Sequence, residues 1–419
     1  MSRTLTIFNL KHGTQIKLNN LDDVIQVLQY NIAHTLYTEQ EQFIINFAYP
    51  QAIKIEQASI INIQPLRYLH DITSLNLSQN EICEVSALQY LVNLVKIDVS
   101  KNYIVDISPF SKCLQLKDID VSNNIIESVA QLSSLNNIEK LDISWNKLKS
   151  ISQLHHLIKI QTFDASFNDI SDFSVLSKLI NLQNIILDNN IISDLSHISN
   201  LEKIENISLR GCKVQDIAQI TNSKQIKSIE LECCPITNLS VLINFYQLST
   251  LIACYGDISD ITSLRYLKQL THLDLSANKI IDISPLSLLK KFNVVNLSQN
   301  QITEVSALRG IEKLSELYLS SNYISDLSPV QQYSDIDEFD IEGQEEPPEE
   351  ILRMFNKISK IHASMKQLHQ IQNKKTQNRF RTGMHPFQNK FNSEMNLVLS
   401  KLKYSVELLI NFINLDLVI

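Results

Sequence analysis

Glycine is scarce in this sequence: 419 residues include 6 glycines, and no two of them are close together. Loops that hold phosphate groups need clustered glycines, because backbone amides must approach the ligand closely. The Walker-type and dinucleotide-binding fingerprints are both absent. The sequence therefore argues against nucleotide-dependent catalysis on a known phosphate-binding loop.

Export and membrane signals are also missing. The 6 cysteines are scattered, unlike those of small secreted domains held by disulfides. The first twenty residues contain no uninterrupted apolar stretch, so no signal peptide is predicted. The apolar stretch at 404–419 is interrupted by polar residues and is shorter than a ~20-residue membrane span. We therefore expect a soluble protein without a transmembrane segment, located in the cytoplasm, with the nucleus as the alternative.

Catalytic motifs are absent too. There is no HExxH, GxSxG or paired CxxC motif, so we expect no enzyme, no cofactor and no small-molecule substrate. Cys212, Cys233, Cys234 and Cys254 would converge if consecutive repeats stack, which is the geometry of a soft-metal site. The favoured interpretation is that they are buried small side chains, so no metal is expected.

Charge is unevenly distributed along the chain. Residues 351–403 contain eleven Lys or Arg and one acidic residue, whereas the rest of the chain is strongly acidic. This basic segment fits nucleic acid, an acidic membrane or an acidic protein surface. Its charges are spread out, however, so we favour a solvated capping helix and disfavour nucleic acid as a partner.

A repeat of 22 residues runs through the middle of the chain. The same phase is occupied by a series of marker positions, most of them Asn: Asn80, Asn102, Asn124, Asn146, Asn168, Asn190, Cys212, Cys234, Gly256, Asn278, Asn300 and Asn322. Weaker copies precede and follow these twelve units. No unit can bury its apolar face alone, so neighbours must stack into one solenoid.

Each position within the unit has a local reason. Leu75 and Leu77 are two residues apart, which predicts one face of a short strand. The marker Asn can satisfy backbone groups of adjoining turns and form a ladder. A recurring Ser, such as Ser108, is predicted to be the N-cap of a short helical return, and Pro109 follows it where a missing N–H costs least.

The segments ITSLNLSQNEICEVSAL (72–88) and LTHLDLSANKIIDISPL (270–286) resemble the 22-residue leucine-rich repeat, and more narrowly the SDS22-like class. Internalin-type repeats share this consensus. The resemblance implies an α/β solenoid: a horseshoe with a parallel sheet on its concave face, short helical or 3₁₀ returns on its convex face, and protein binding on the sheet. We expect the solenoid to span residues 50–344.

The two ends are predicted to differ from the repeats. Residues 1–49 contain a predicted hairpin, formed by 5–10 and 15–18, and a predicted helix at 20–30, and we interpret the region as an N-terminal cap. Residues 345–419 form a basic C-terminal region. There Ile351, Met354 and Ile358 begin an apolar helical seam.

The outward-facing strand positions are the candidate binding residues. Asp98, Asp120, Asp142 and Asp164 occupy one such position in consecutive repeats, which would steer a basic partner. Three residues further on, some repeats carry an aromatic residue. The alternative for the aspartates is a solvated surface row without a partner. The alternative for the aromatic residues is packing under a local loop. The predicted protein-binding residues are Trp145, Phe167, Tyr255, Asp98, Asp120, Asp142, Asp164, Ile186 and Arg210.

These features indicate an intracellular scaffold or regulatory protein whose protein partner has a basic and apolar surface. The resemblance to the SDS22-like class implies a phosphatase-regulator role as one form of it. The alternatives are an exported internalin-type interaction factor, and a scaffold anchored to membrane or nucleic acid by its basic segment. Because Cys212, Cys234 and Gly256 interrupt the marker series, residues 206–258 are predicted to be the softest coils.

Overall fold

The structure is a computed structural model that describes residues 52–332 and 336–344, together with three short strands before them. The predicted helix at 20–30, the basic segment 351–403 and the seam that begins at Ile351 lie outside the described residues. No helix among the described residues has the length and hydrophobicity needed to cross a bilayer.

The strands form two sheets among the described residues. The first is antiparallel, with order β2-β1-β3, and its β1–β2 pair confirms the predicted hairpin. The second contains fourteen parallel strands in sequence order from β4 to β17. The strand bounds are β1 Leu5–Asn9, β2 Thr14–Leu18, β3 Phe43–Asn46, β4 Ala52–Lys54, β5 Ser74–Asn76, β6 Lys96–Asp98, β7 Asp118–Asp120, β8 Lys140–Asp142, β9 Thr162–Asp164, β10 Asn184–Ile186, β11 Asn206–Ser208, β12 Ser228–Glu230, β13 Thr250–Ile252, β14 His272–Asp274, β15 Val294–Asn296, β16 Glu316–Tyr318 and β17 Glu338–Asp340.

The register of the large sheet follows the repeat. Each residue of a strand pairs with the residue 22 positions later, as Leu75 pairs with Ile97. The middle residue of each strand from β4 to β16 is buried, whereas its two neighbours lie on the opposite face, because side chains alternate along a strand. The outer face of the sheet is the side that points away from the core, and it corresponds to the concave face of a leucine-rich repeat solenoid. It is therefore built from the first and third residue of every strand.

Short 3₁₀ helices return the chain to the next strand. Their bounds are Gln64–Tyr68, Ser86–Tyr90, Ser108–Lys112, Ala130–Ser134, Ser152–His156, Ser174–Lys178, Ser196–Ile198, Ala218–Ile220, Ser240–Asn244, Thr262–Tyr266, Ser284–Leu288, Ser306–Leu308 and Ser328–Val330. Apolar side chains between these returns and the sheet form one continuous core, which includes the fully buried Phe110, Phe163 and Phe245. The predicted solenoid fold is confirmed.

The prediction that the recurring Ser is the N-cap is wrong. In the return that begins at Ser108, the capping position is Ile107, which makes no side-chain cap hydrogen bond. Instead Asp106 Oδ1 accepts the backbone N–H of Ser108 at 2.8 Å, and the Ser108 hydroxyl donates to Asp106 Oδ2 at 2.8 Å. The capping side chain is therefore that of Asp106, two residues before Ser108, because an Asx turn suits the tight 3₁₀ start.

Candidate binding surface on the sheet face

The marker asparagines form the predicted ladder at the carboxyl ends of the strands. The side-chain amide of Asn102 donates to the carbonyls of Leu77 and Val99, both at 3.0 Å, and its Oδ1 accepts the N–H of Ile82 at 3.0 Å. The last position of the ladder is Gln344, which accepts from the N–H of Ile324 at 3.0 Å. Wherever the marker is Asn or Gln, the turn is thus tied to the preceding coil through a side-chain amide, which helps to hold the neighbouring row of side chains in place.

The residue immediately before each marker has a left-handed backbone. Its φ lies between 52° and 58° wherever it is not glycine. Its N–H donates to the following coil, as Trp145 does to the carbonyl of Ser166 at 2.9 Å. We call these positions the left-handed row: Gln57, Gln79, Lys101, Asn123, Trp145, Phe167, Asn189, Gly211, Cys233, Tyr255, Ala277, Gln299, Ser321 and Gly343. Bulky residues rarely adopt this conformation, which disfavours any side chain with a Cβ.

Trp145 and Phe167 occupy consecutive positions in the left-handed row, and we call them the aromatic pair. Their rings are stacked, with centroids 3.8 Å apart and an interplanar angle of 12°. Trp145 is 53% exposed, so the pair lies at the surface and is not part of the core. Tyr255 is also exposed, but it lies four coils further along, roughly 19 Å away at the usual strand spacing. The structure therefore brings two of the three predicted aromatic residues together.

The predicted row of carboxylates is present, and each carboxylate has a local structural role. We call Asp98, Asp120, Asp142 and Asp164 the acidic row. Asp142 Oδ1 accepts the N–H and the hydroxyl of Ser144, at 2.9 and 2.6 Å. Asp98, Asp120 and Asp164 repeat this arrangement with the Ser two residues later. In each pair the hydrogen bonds converge on Oδ1 and shape the turn that carries the left-handed row.

Burial makes the carboxylates of Asp120, Asp142 and Asp164 harder to ionise than free aspartate. It raises the pKa of Asp120 to about 6, and the neighbouring carboxylates of Asp142 and Asp98 add to this effect. The pKa values of Asp142 and Asp164 are raised by the same cause. Hydrogen bonds from the serines oppose the shift in all three. The row is therefore fully charged only above mildly acidic pH.

Ile186 and Arg210 mark a change in the face. Ile186 replaces the row aspartate on β10, and the carboxylate appears two residues later as Asp188. Asp188 Oδ1 accepts the Ser208 hydroxyl at 2.6 Å and the Arg210 N–H at 2.9 Å, so it caps the turn of the following coil. The Arg210 guanidinium donates to Glu230 and lies 3.9 Å from Glu232. Arg210 is therefore neutralised within the face and is not paired with the acidic row.

The interrupting cysteines make weaker contacts than asparagine. The thiols of Cys212 and Cys234 each donate to one carbonyl, that of Leu187 at 3.4 Å and that of Leu209 at 3.0 Å. Burial raises the pKa of Cys212 to about 11 and that of Cys234 to about 12. In the coil before Gly256, the Ile236 N–H donates to the Cys234 carbonyl instead of an amide oxygen. Within the described part of the chain, no group of three or more His, Cys, Asp or Glu could hold a metal ion.

Some features of the face were not predicted. The left-handed backbone is one, although Asn123, Asn189 and the glycines in the row give a signal for it. A second ladder runs along the amino ends of the strands, where the amides of Asn93, Asn137 and Asn181 donate to carbonyls of the preceding coil. It follows from the same 22-residue spacing. The two ladders thus link neighbouring coils at both ends of the strands.

A leucine-rich repeat family model matches residues 268–324. Among solved structures, an internalin of Listeria monocytogenes is similar to this chain with a TM-score of 0.68 and 25% identity, covering 77% of this chain and 95% of the internalin. A leucine-rich repeat protein of Leptospira interrogans has a TM-score of 0.64 and 20% identity, covering 70% and 78%. No curated protein sequence matches significantly. The chain carries leucine-rich repeats, and its repeat fold is the one used by internalin-type proteins.

Proposed function

We propose that this chain is a protein-binding scaffold or regulatory protein that recognises a partner through the outer face of its parallel sheet. The aromatic pair is the anchor, and the acidic row attracts a partner whose surface is basic and apolar. The observation that carries the proposal is the stack of the exposed Trp145 on the half-buried Phe167. Exposed aromatic residues beside acids are typical of interface hot spots.

The backbone at the aromatic pair supports a binding role over a packing role. Each of the two residues has a left-handed φ that is costly for a bulky side chain, and Trp145 remains 53% exposed. A residue that only filled space in the core would be buried, and one that only formed the turn would need no large ring, as Ala277 and Ser321 in the same row show. The arrangement fits a side chain kept for contact with another molecule.

The test is affinity capture with the full chain and with a Trp145→Ala, Phe167→Ala double variant, from cytosol of the source organism. We expect one or more proteins to be captured by the wild type and lost by the double variant. In the purified complex, Trp145→Ala alone should weaken binding by ~2 kcal/mol or more.

Tyr266→Ala is the matched control. Tyr266 is 52% exposed, a fraction similar to the 53% of Trp145. It lies at the end of a 3₁₀ return, however, and not on the sheet face. Its replacement should leave binding unchanged. Equal loss with Tyr266→Ala, or a double variant that binds as well as the wild type per folded molecule, would contradict the proposal.

The finer role is proposed in two forms. The SDS22-like consensus supports an intracellular regulator of a phosphatase, in the cytoplasm or nucleus. The likeness to the Listeria monocytogenes internalin supports an exported interaction factor as the second candidate. Fractionation of the source cells, followed by identification of the captured protein, separates the two: a phosphatase catalytic subunit recovered from cytosol supports the first, and chain found outside the cell supports the second.

A further inference from the structure

We infer that the aromatic pair, together with Asp142 and Asp164, forms a site for an arginine side chain of the partner. The inference rests on the proposed function and names the partner group that the anchor takes. Asp142 and Trp145 lie three residues apart on one turn, and Asp164 and Phe167 repeat that spacing on the next. Two carboxylates and two stacked rings are therefore presented by two neighbouring coils.

Phe167 covers only one face of the Trp145 indole. Parallel rings 3.8 Å apart cover each other's facing surfaces. Trp145 is nonetheless 53% exposed, and we infer that this exposed area includes the ring edge and the face turned away from Phe167. The next side chain of the left-handed row on that side is Asn123, which is short and exposed. We therefore place the flat group of the ligand against the indole from the Asn123 side, where the shorter side chain reaches less far than the ring.

The charge at the two turns favours a cation. Asp142 and Asp164 use Oδ1 to accept from Ser144 and Ser166, and no hydrogen bond occupies Oδ2 of either residue in the described part of the chain. Lys140 is the single basic residue on β8 and β9, beside two carboxylates. An acidic residue flanks these strands on each side, Asp120 and Asp188.

The combination selects arginine over lysine. A guanidinium is planar, so it can stack on an indole while its N–H groups in the ring plane reach a carboxylate. An ammonium is a compact, strongly hydrated charge that gains less from a flat aromatic surface. The site thus offers both contacts that a guanidinium makes and only one that an ammonium makes well.

Trp145 is the only tryptophan of the chain, so its fluorescence reports on this site alone. The experiment titrates the full chain with the blocked tripeptide acetyl-Gly-Arg-Gly-amide. Matched tripeptides carry lysine or citrulline in place of arginine. We expect a saturable change in emission with the arginine peptide, affinity about threefold or more lower for the lysine peptide, and no saturable change with citrulline, which is flat but uncharged.

Variants locate the ligand. Asp142→Asn and Asp164→Asn should each weaken arginine-peptide binding by about threefold or more, because each removes a carboxylate that pairs with the guanidinium. Lys140→Gln should strengthen binding, because it removes the nearby cation, and misfolding cannot produce that gain. Asp274→Asn is the control, since Asp274 makes the same bonds to Ser276 five coils away.

Three outcomes overturn the inference: no saturable change, equal affinity for the lysine or citrulline peptide, and equal weakening by Asp274→Asn. Its failure differs from that of the proposed function. If the peptides do not bind but the Trp145→Ala, Phe167→Ala variant still loses its captured partner, the anchor stands and the arginine assignment is wrong. If that variant also keeps its partner, both are wrong.

Discussion

Trp145 and Phe167 occupy backbone positions that suit asparagine or glycine better than an aromatic residue. Left-handed φ values of 52° and 53° cost an ordinary L-residue roughly 1–2 kcal/mol. Asparagine tolerates the conformation, as Asn123 and Asn189 show on either side of the pair. Folding alone would therefore favour replacement of both aromatic residues, and the proposed binding role explains why they are present.

Replacing Trp145 by Asn should separate stability from binding. We expect Trp145→Asn to change the free energy of unfolding by less than about 1 kcal/mol in either direction, since relief of backbone strain offsets loss of the ring stack. Binding of the partner should fall as it does in Trp145→Ala. Chemical denaturation and calorimetric titration measure the two quantities. A loss of stability of several kcal/mol would show that the ring is structural.

Asp120 should make stability depend on pH in an unusual direction. Its folded pKa of about 6 lies above the ordinary 3.8, so the folded state binds more protons, and stability falls as pH rises between these values. Asp120→Asn keeps an acceptor for Ser122 and removes the charge. We expect it to raise the free energy of unfolding at pH 7–8 by on the order of 1–3 kcal/mol, and to have little effect near pH 4.

Asp326 provides the comparison of opposite sign for that experiment. Hydrogen bonds from the backbone and side chain of Ser328 lower its pKa, so its contribution to stability is present at neutral pH and is lost as pH falls through the folded pKa. Asp326→Asn should therefore not raise stability at pH 7–8. A gain in both variants would indicate a general effect of net charge and not burial of Asp120.

At the scale of the turn, the asparagine ladder should carry more stability than the cysteines that interrupt it. The Asn124 amide donates to the carbonyls of Val99, Val121 and Ser122, and its Oδ1 accepts from Ile104. Asn124→Ala leaves these buried groups without partners and should cost about 2–4 kcal/mol. Cys212→Ala removes one weak bond and should cost less than about 1.5 kcal/mol. Urea denaturation measures both, and equal costs would contradict the ladder argument.

The coils around these cysteines should open more readily than their neighbours. In residues 206–258, thiols replace amides and the buried Ser223 stands where most repeats have a large apolar residue. Strands β11 to β13 nevertheless keep their parallel pairing. We expect faster amide hydrogen exchange in 206–258 than in 116–190, because fewer buried bonds hold these turns. Equal protection would remove the idea of a soft joint.

Most of the coil could be predicted from the sequence, because its strands and core depend on spacing. Leu75 and Leu77 define a strand face, and the marker series predicts the ladder. The cap of the returns could not be predicted with the same certainty, because Asp106 and Ser108 both have capping side chains and only the geometry of the 3₁₀ turn decides between them.

For the whole molecule, the charge of the sheet face should control the rate of association with the partner more than the lifetime of the complex. Asp98→Asn removes one carboxylate of the acidic row at a distance from the aromatic pair. We expect it to slow association with a basic partner and to leave dissociation nearly unchanged. The difference from wild type should shrink as salt is added, because the Debye length falls. Surface plasmon resonance at two salt concentrations tests this, and a change confined to dissociation would contradict it.

The candidate site was partly predictable, for reasons that differ by residue. Trp145 and Phe167 were identified because they share a phase and lie one repeat apart. Tyr255 shares that phase, but it lies four coils further on, so a common phase does not imply contact. The neutralisation of Arg210 by Glu230 depends on side-chain conformation, which spacing does not determine.

The unbroken 22-residue period makes the junctions between coils that carry a marker asparagine nearly interchangeable. Each marker amide reaches 25 residues back to the previous coil and 3 residues back within its own turn, and this is the same for Asn102 and for Asn300. An in-frame loss or gain of one whole coil would therefore recreate the junction it disturbed. The length of the recognition face can change by duplication or deletion of single repeats, while the coils on either side keep their structure.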